Sequence, residues 1–174
     1  MNQHVHIPVL FQEVLDALHL KSGMTALDAT FGGGGHARKI SEIIGASGKL
    51  ITLDADAEAF RRTDVRSFAS PVIPVVGNFR DLDTILNEHQ VTTLNAALFD
   101  LGLSSFTLET SGRGFSFQND EPLIMTFSED AHGVTAETVV NDWSEETLAD
   151  IIYGFGDERA SRRIARAIVK ARTH

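Results

Sequence analysis

Four consecutive glycines, Gly32-Gly33-Gly34-Gly35, separate a short apolar run, Met24-Thr25-Ala26-Leu27-Asp28, from a segment in which Ala37, Ile40, Ile43 and Ile44 recur at helical spacing. The run predicts a strand and the recurrence predicts a helix. Glycine admits positive φ and close backbone approach, and the start of a helix offers unpaired N–H groups. A strand, a glycine loop and a helix in that order predict a ligand cradle at the C-terminal edge of a parallel sheet. A tight turn alone rarely needs four glycines.

The alternation continues. Lys49-Leu50-Ile51-Thr52-Leu53-Asp54 is a second predicted strand, again closed by an acid, followed by a short helix over Ala57–Arg62. A third strand over Val72–Val76 contains Pro74, which places it near a sheet edge. A helix over 81–89 and a nearly continuous apolar strand over 94–101 complete a doubly wound α/β pattern with parallel strands and right-handed crossovers. After Ser104 the pattern changes: residues 104–133 are rich in Ser, Thr, Gly, Asp and Glu, carry Phe115 and Phe117, and read as a long loop. Helices are predicted over 136–140, 145–152 and 158–171. The expected division is a core over 1–103 and a loop plus helical cap over 104–174.

Charge is unevenly spread. The 174 residues hold 24 acids and 15 Lys and Arg, a formal charge of −9, but residues 1–156 carry net −13 and residues 157–174 carry net +4. An acidic body repels phosphate at long range, so a nucleic acid must find a local basic surface. The absence of cysteine excludes disulfides, thiolate metal sites and a cysteine nucleophile. No apolar run approaches the ~20 residues of a membrane span, and the first residues lack a signal-peptide pattern. A cytoplasmic protein is expected. The seven histidines show no metal-ligand array, so no metal is expected.

The cofactor stays open between two classes. Gly32, Gly34 and Ala37 satisfy a G-x-G-x-x-A dinucleotide pattern with Asp54 at about the right distance. Asp28 argues the other way: a carboxylate beside the loop suits the ammonium of S-adenosylmethionine and not a pyrophosphate. Asp54 suits ribose hydroxyls in either case. Phe79, after the third strand, packs either in the core or on an adenine ring. Asp100, an acid ending an apolar strand, is costly to bury without a partner, which points to function.

In chain order these motifs resemble the bacterial MraW/RsmH family of 16S ribosomal RNA cytosine-N4 methyltransferases. The resemblance runs through His6-Ile7-Pro8-Val9-Leu10 with Glu13-Val14-Leu15, Asp28-Ala29-Thr30-Phe31-Gly32-Gly33-Gly34-Gly35-His36, Asp54-Ala55-Asp56 and Phe79. It continues through Asp100-Leu101-Gly102-Leu103-Ser104-Ser105, Arg113-Gly114-Phe115-Ser116-Phe117 and Gly156-Asp157-Glu158-Arg159, and ends in the segment from Arg163 to Val169. The resemblance implies a Rossmann-like class I methyltransferase core, here with an incomplete parallel sheet, and an inserted helical cap. It implies S-adenosyl-L-methionine held by Gly34, Gly35, His36, Asp54, Phe79 and Asp100, and methylation of one cytosine amine of 16S ribosomal RNA in the small subunit. The chain departs from the family pattern at Phe106-Thr107, where the family has Pro-Gln, and at Ile124 and Thr126, where it has Asp and Arg. The family chain also continues beyond the position of Arg172, so a fragment or a divergent short form is expected, its oligomeric state open with a dimer among the options.

Two further readings complete the expectations. A cytosine amine is a poor nucleophile because its lone pair is delocalised, so positioning contributes most, and Asp100 is the expected catalytic group, accepting the amine N–H. At 100° per residue Arg159, Arg162, Arg163, Arg166 and Lys170 share one helical arc, a candidate phosphate contact for ribosomal RNA, with Ala160, Ile164, Ala167, Ile168 and Ala171 on the adjoining arc. Phe115 and Phe117 are candidate receivers for a flipped base, with ordinary packing as the commoner alternative. The rival functions are a non-catalytic cofactor- or RNA-binding paralogue and an NAD-dependent oxidoreductase.

Overall fold

The structure, a computed structural model, describes residues 10–109, 111–128 and 133–172, in two compact units, Met1–Gly102 and Leu103–His174. The signature residues His6-Ile7-Pro8-Val9 lie outside the described residues.

The first unit holds helix α1 (Phe11–Ala17), strand β1 (Thr25–Asp28), helix α2 (Gly35–Ile44), strand β2 (Lys49–Asp54) and helix α3 (Ala57–Arg62). Strand β3 (Val72–Val76), helix α4 (Leu82–Glu88) and strand β4 (Ala96–Leu98) follow. All strand pairs are parallel, in the order β3-β2-β1-β4. This is the α/β doubly wound arrangement read from the sequence, with the Pro74 strand at one edge.

Strand alternation explains the two layers. Ala26 and Leu50 face one side, where they join Leu15, Phe31, Ala37, Ile40 and Ile44 from the α1 and α2 side. Leu27, Ile51 and Leu53 face the other and join Ile85 of α4 and Val91. Successive residues of a strand point to opposite faces, and a sheet buried on both faces needs apolar residues at every position. Asp28 and Asp54 end β1 and β2 at the same sheet edge.

Two expectations are corrected here. The fourth strand spans three residues rather than 94–101, because the Asp100 amide turns away to donate to Thr30 Oγ1 at 2.8 Å and ends the ladder. α1 has no counterpart among the elements expected from the sequence; it is entered through Leu10 in the left-handed region and buries only Leu15.

The second unit contains helices α5 (Ser105–Glu109), α6 (Ala136–Asp142), α7 (Glu145–Gly156) and α8 (Ser161–Ala171). α5 falls inside the span read as loop. Thr135 and Ser144 cap α6 and α7, their hydroxyls accepting from Thr138 N and Thr147 N, each at 3.1 Å. Leu148, Ala149 and Ala165 form the core of this unit with Val139, Trp143, Ile168 and Val169. Arg172 pins the end of α8 by donating to the carbonyls of Val140 and Trp143. Among the described residues no helix is long and apolar enough to cross a membrane.

Candidate cofactor site and nucleic-acid surface

The glycine loop is held from below and from the side. Gly34 starts α2 at φ +74°, and a Cβ there would lie 3.0 Å from the Phe31 ring and 3.1 Å from Thr63 Cγ2, so only glycine fits. At Gly33 a Cβ would meet nothing within 4 Å, so the loop faces open space at that point. Asp54 holds the loop to the end of β2. Its Oδ2 accepts from Gly32 N at 2.7 Å and its Oδ1 accepts from Asp56 N at 2.9 Å. Each carboxylate oxygen has a second lone pair, so Asp54 keeps acceptor capacity for a hydroxyl.

Asp28 is the buried acid of the site, 1 % exposed, accepting from Thr30 N at 3.2 Å. Burial pushes its carboxyl up to about 7, against the lowering by the Thr30 and Ala37 amides, and the Asp54 and Asp100 charges push it further up. Asp28 therefore acts from beneath the loop and does not line it. Asp100 takes the opposite position. Its side chain is 61 % exposed, so the expectation of a buried acid there is corrected: the residue lies two positions past the end of β4, beyond the packed sheet.

His36, on the first turn of α2, is buried with its ring stacked on Phe11 at 5.2 Å. Its Nδ1 lies 4.0 Å from Asp100 Oδ2, and its buried Nε2 has no hydrogen-bond partner among the described residues. Burial lowers its pKa and the Asp100 charge opposes the shift, so the imidazole is neutral at pH 7. Gly35 is the first residue of α2 beside it. Phe79 opens a single 3-10 turn, Phe79–Asp81, and packs edge-to-face on Phe99, with centroids 5.7 Å apart and planes at 86°. Both rings are half-exposed, so Phe79 is not core, and Phe99, to which the sequence reading assigns no role, stands beside it. Its signal was available: a large aromatic directly before Asp100.

Three carboxylates thus gather where β1, β2 and β4 end, around a loop open at Gly33. A pyrophosphate would meet repulsion there. A ligand carrying a sulfonium, an ammonium and ribose hydroxyls fits the donor set, with Asp54 for the hydroxyls and the acidic field for the cations.

The second unit explains the family departures locally. Thr107 is buried in the cap of α5, its N–H donating to Ser104 Oγ at 3.0 Å. The Ile124 carbonyl accepts from Ala136 N at 3.2 Å, and Thr126 Oγ1 donates to the Ser128 carbonyl at 2.9 Å. Arg113 is buried and donates to the Thr126 and Phe127 carbonyls, folding the loop on itself. Phe115 packs on Phe127 at 5.7 Å, whereas Phe117 is 97 % exposed, so only Phe117 is available as a base receiver.

The basic arc divides in two. Arg159 lies in the turn before α8, not on it. Arg162 and Arg166 line a groove of about 320 Å³ with Glu145, Glu146 and Asp150 of α7, and Arg166 Nε donates to Glu145 Oε1 at 3.3 Å. Arg163 and Lys170 are exposed on the side of α8 opposite its buried residues Ser161 and Ala165. The adjoining apolar arc is corrected as well: Ile164, Ala167 and Ala171 are exposed, because the core lies toward Ala165, Ile168 and Val169.

A family model described as the MraW methylase family matches residues 3–174. The ribosomal RNA small subunit methyltransferase H of Syntrophotalea carbinolica is 46% identical over 169 residues, 96% of this chain and 54% of its own length. The protein of the same name from Bacteroides fragilis is 43% identical over 175 residues, 97% of this chain and 54% of its own. The chain therefore spans about half the length of these curated relatives. A solved SAM dependent methyltransferase from Aquifex aeolicus aligns with 49% of this chain and 36% of its own, at 21% identity and a TM-score of 0.28, too low to bear on the fold.

Proposed function

This chain belongs to the MraW methylase family, and from that membership we propose that it binds S-adenosyl-L-methionine and serves N4-methylation of a cytosine in 16S ribosomal RNA of the small subunit. The observation that carries the reading is the set of three carboxylates, Asp28, Asp54 and Asp100, at one edge of a parallel sheet around the loop at Gly33.

When bound, the cofactor supplies an electrophilic methyl on a sulfonium. Gly34 and Gly35 keep the loop and the first turn of α2 low enough for close approach, and Asp54 accepts from the ribose hydroxyls. Phe79, with Phe99 behind it, offers a flat apolar face to the adenine. His36 packs beneath the loop as a neutral ring. Asp100, exposed and free to meet a base, accepts an N–H of the cytosine amine, aims the nitrogen lone pair at the methyl and takes up the developing positive charge. Asp100 would take the surplus proton of the methylated amine and pass it to water. The helical unit 104–174 contacts the RNA in this reading, and a ribosomal RNA substrate implies a cytoplasmic location.

The test is methyl transfer from methyl-labelled S-adenosylmethionine to small subunits that lack the modification. Label on a cytosine amine supports the reading; cofactor binding with no transfer to any RNA rejects catalysis by this chain. The second outcome has one specific observation in its favour: Thr107, at the position where the family pattern has Gln, is a buried residue whose N–H is bonded to Ser104 Oγ.

A further inference from the structure

The apolar stripe of α7 does not stop where its core stops. Leu148, Ile152 and Phe155 follow one another at i, i+4 and i+7, one face of a helix. Leu148 is buried and Ile152 half-buried, yet Phe155 is 91 % exposed and its neighbour Tyr153 is 62 % exposed. A Phe side chain left in water forgoes the burial of its apolar area, so the end of α7 holds two aromatics out from the core at a cost.

The turn that follows them is hydrogen-bonded and leads into a helix with exposed cations. Asp157 closes α7 in the left-handed region, its N–H donating to the Tyr153 carbonyl at 3.1 Å. The Glu158 side chain accepts from Ala160 N at 2.6 Å, which fixes the turn. Arg159 follows Phe155 by four residues, and Arg163 lies in the first turn of α8. Lys170 stands about 10 Å further along the same side at 1.5 Å per residue. Arg162 and Arg166, by contrast, lie beside the α7 acids and Arg172 donates to carbonyls, which leaves Arg159, Arg163 and Lys170 against Asp157 and Glu158 here, a small local positive excess that an anion complements. An anion that also rewards exposed aromatic faces is a nucleic acid with unstacked bases.

We infer that the α7–α8 turn is a contact for unpaired RNA, Phe155 stacking on a base while Arg159, Arg163 and Lys170 meet the flanking phosphates. The inference rests on the RNA-methylase reading above and narrows it, because it requires the recognised segment to be single-stranded at this contact.

The experiment is fluorescence anisotropy of a labelled single-stranded 12-nucleotide RNA, and of the same sequence as a duplex, titrated with the full chain at several salt concentrations. F155A should weaken single-strand binding roughly 5- to 100-fold with an unchanged salt slope, F155W should restore it, and neither should alter duplex binding. R163A/K170A should reduce the salt slope by about 1.4, as expected for two phosphates of a single strand. Circular dichroism checks that F155A keeps the fold. Equal affinities for wild type and F155A overturn the inference while leaving the RNA reading intact. Equal weakening of single strand and duplex also overturns it. So does an F155A effect confined to self-association in sedimentation, which makes the partner a second copy. A wild-type chain that binds neither RNA rejects the RNA reading itself.

Discussion

Asp54 Oδ2 accepts a hydrogen bond from Gly32 N at 2.7 Å, joining the end of one strand to the loop that follows its neighbour. A carboxylate that orders the loop and also offers lone pairs to a ribose cannot be changed without affecting both roles. Asp54→Asn keeps one acceptor for two amides, since Asp56 N also donates to Asp54. It should lower stability by about 1–3 kcal/mol and weaken cofactor binding. Asp100→Asn differs, because Asp100 contributes only its backbone N–H to the fold contact with Thr30. Thermal melts should find Asp100→Asn close to wild type in stability, calorimetry should find S-adenosylmethionine bound more weakly for want of one of the three charges, and saturating cofactor should not restore the rate of methyl transfer. Wild-type turnover by that variant removes Asp100 from the chemistry.

Neighbouring glycines should behave differently. Gly34→Ala forces a side chain to φ +74° against the Phe31 ring, at a cost of roughly 1–2 kcal/mol or more. Gly33→Ala meets no atom within 4 Å and should melt like wild type. Its methyl instead occupies the space above the loop, so calorimetry should find cofactor affinity reduced at unchanged stability. Full affinity in the Gly33→Ala variant would move the ligand away from the loop.

Asp28 makes stability fall with pH. Its folded pKa of about 7 lies above the ordinary carboxylate value of 3.8. The folded state therefore holds a proton that the unfolded chain has lost between about pH 4 and 7, and this contribution, at most on the order of 4 kcal/mol, disappears as pH rises through 7. Asn keeps an acceptor for the Thr30 amide, so Asp28→Asn should flatten the stability profile between pH 4 and 7 and raise stability at pH 8. Urea titrations followed by circular dichroism check this. A cationic cofactor favours ionised Asp28, so binding at pH 7 should release protons, seen as a binding heat that changes with the ionisation enthalpy of the buffer.

Arg113 is the centre of its loop. Replacing it with Ala leaves the Thr126 and Phe127 carbonyls without its guanidinium. Limited proteolysis should then cut within 111–128 at a clearly higher rate, and Arg113→Lys should restore resistance only in part, since an ammonium lacks the planar fork.

These contrasts also mark what the sequence could and could not tell. β2 and α3 have the bounds read from periodicity, because an apolar run closed by Asp54 and a helix capped by Asp56 are local signals. The glycine loop and its position on the sheet edge were legible for the same reason. The burial of Asp28 and the exposure of Asp100 were not: both are acids after apolar runs, and only the early end of β4 separates them. Arg113 reads as a surface residue by type, and its burial comes from carbonyls 13 and 14 positions away. Arg162 and Arg166 look equivalent to Arg163 on a helical wheel until α7 sets carboxylates beside them.

In the proposed reading, three carboxylates around an open glycine loop select a cationic adenosyl cofactor over a dinucleotide, and isothermal titration reads that selection without an intervening step. The full chain is titrated with S-adenosylmethionine and, separately, with NAD. The expected result is a saturable one-to-one heat with S-adenosylmethionine, weakened in Gly33→Ala, and none with NAD. Saturable binding of NAD with no heat from S-adenosylmethionine would contradict it.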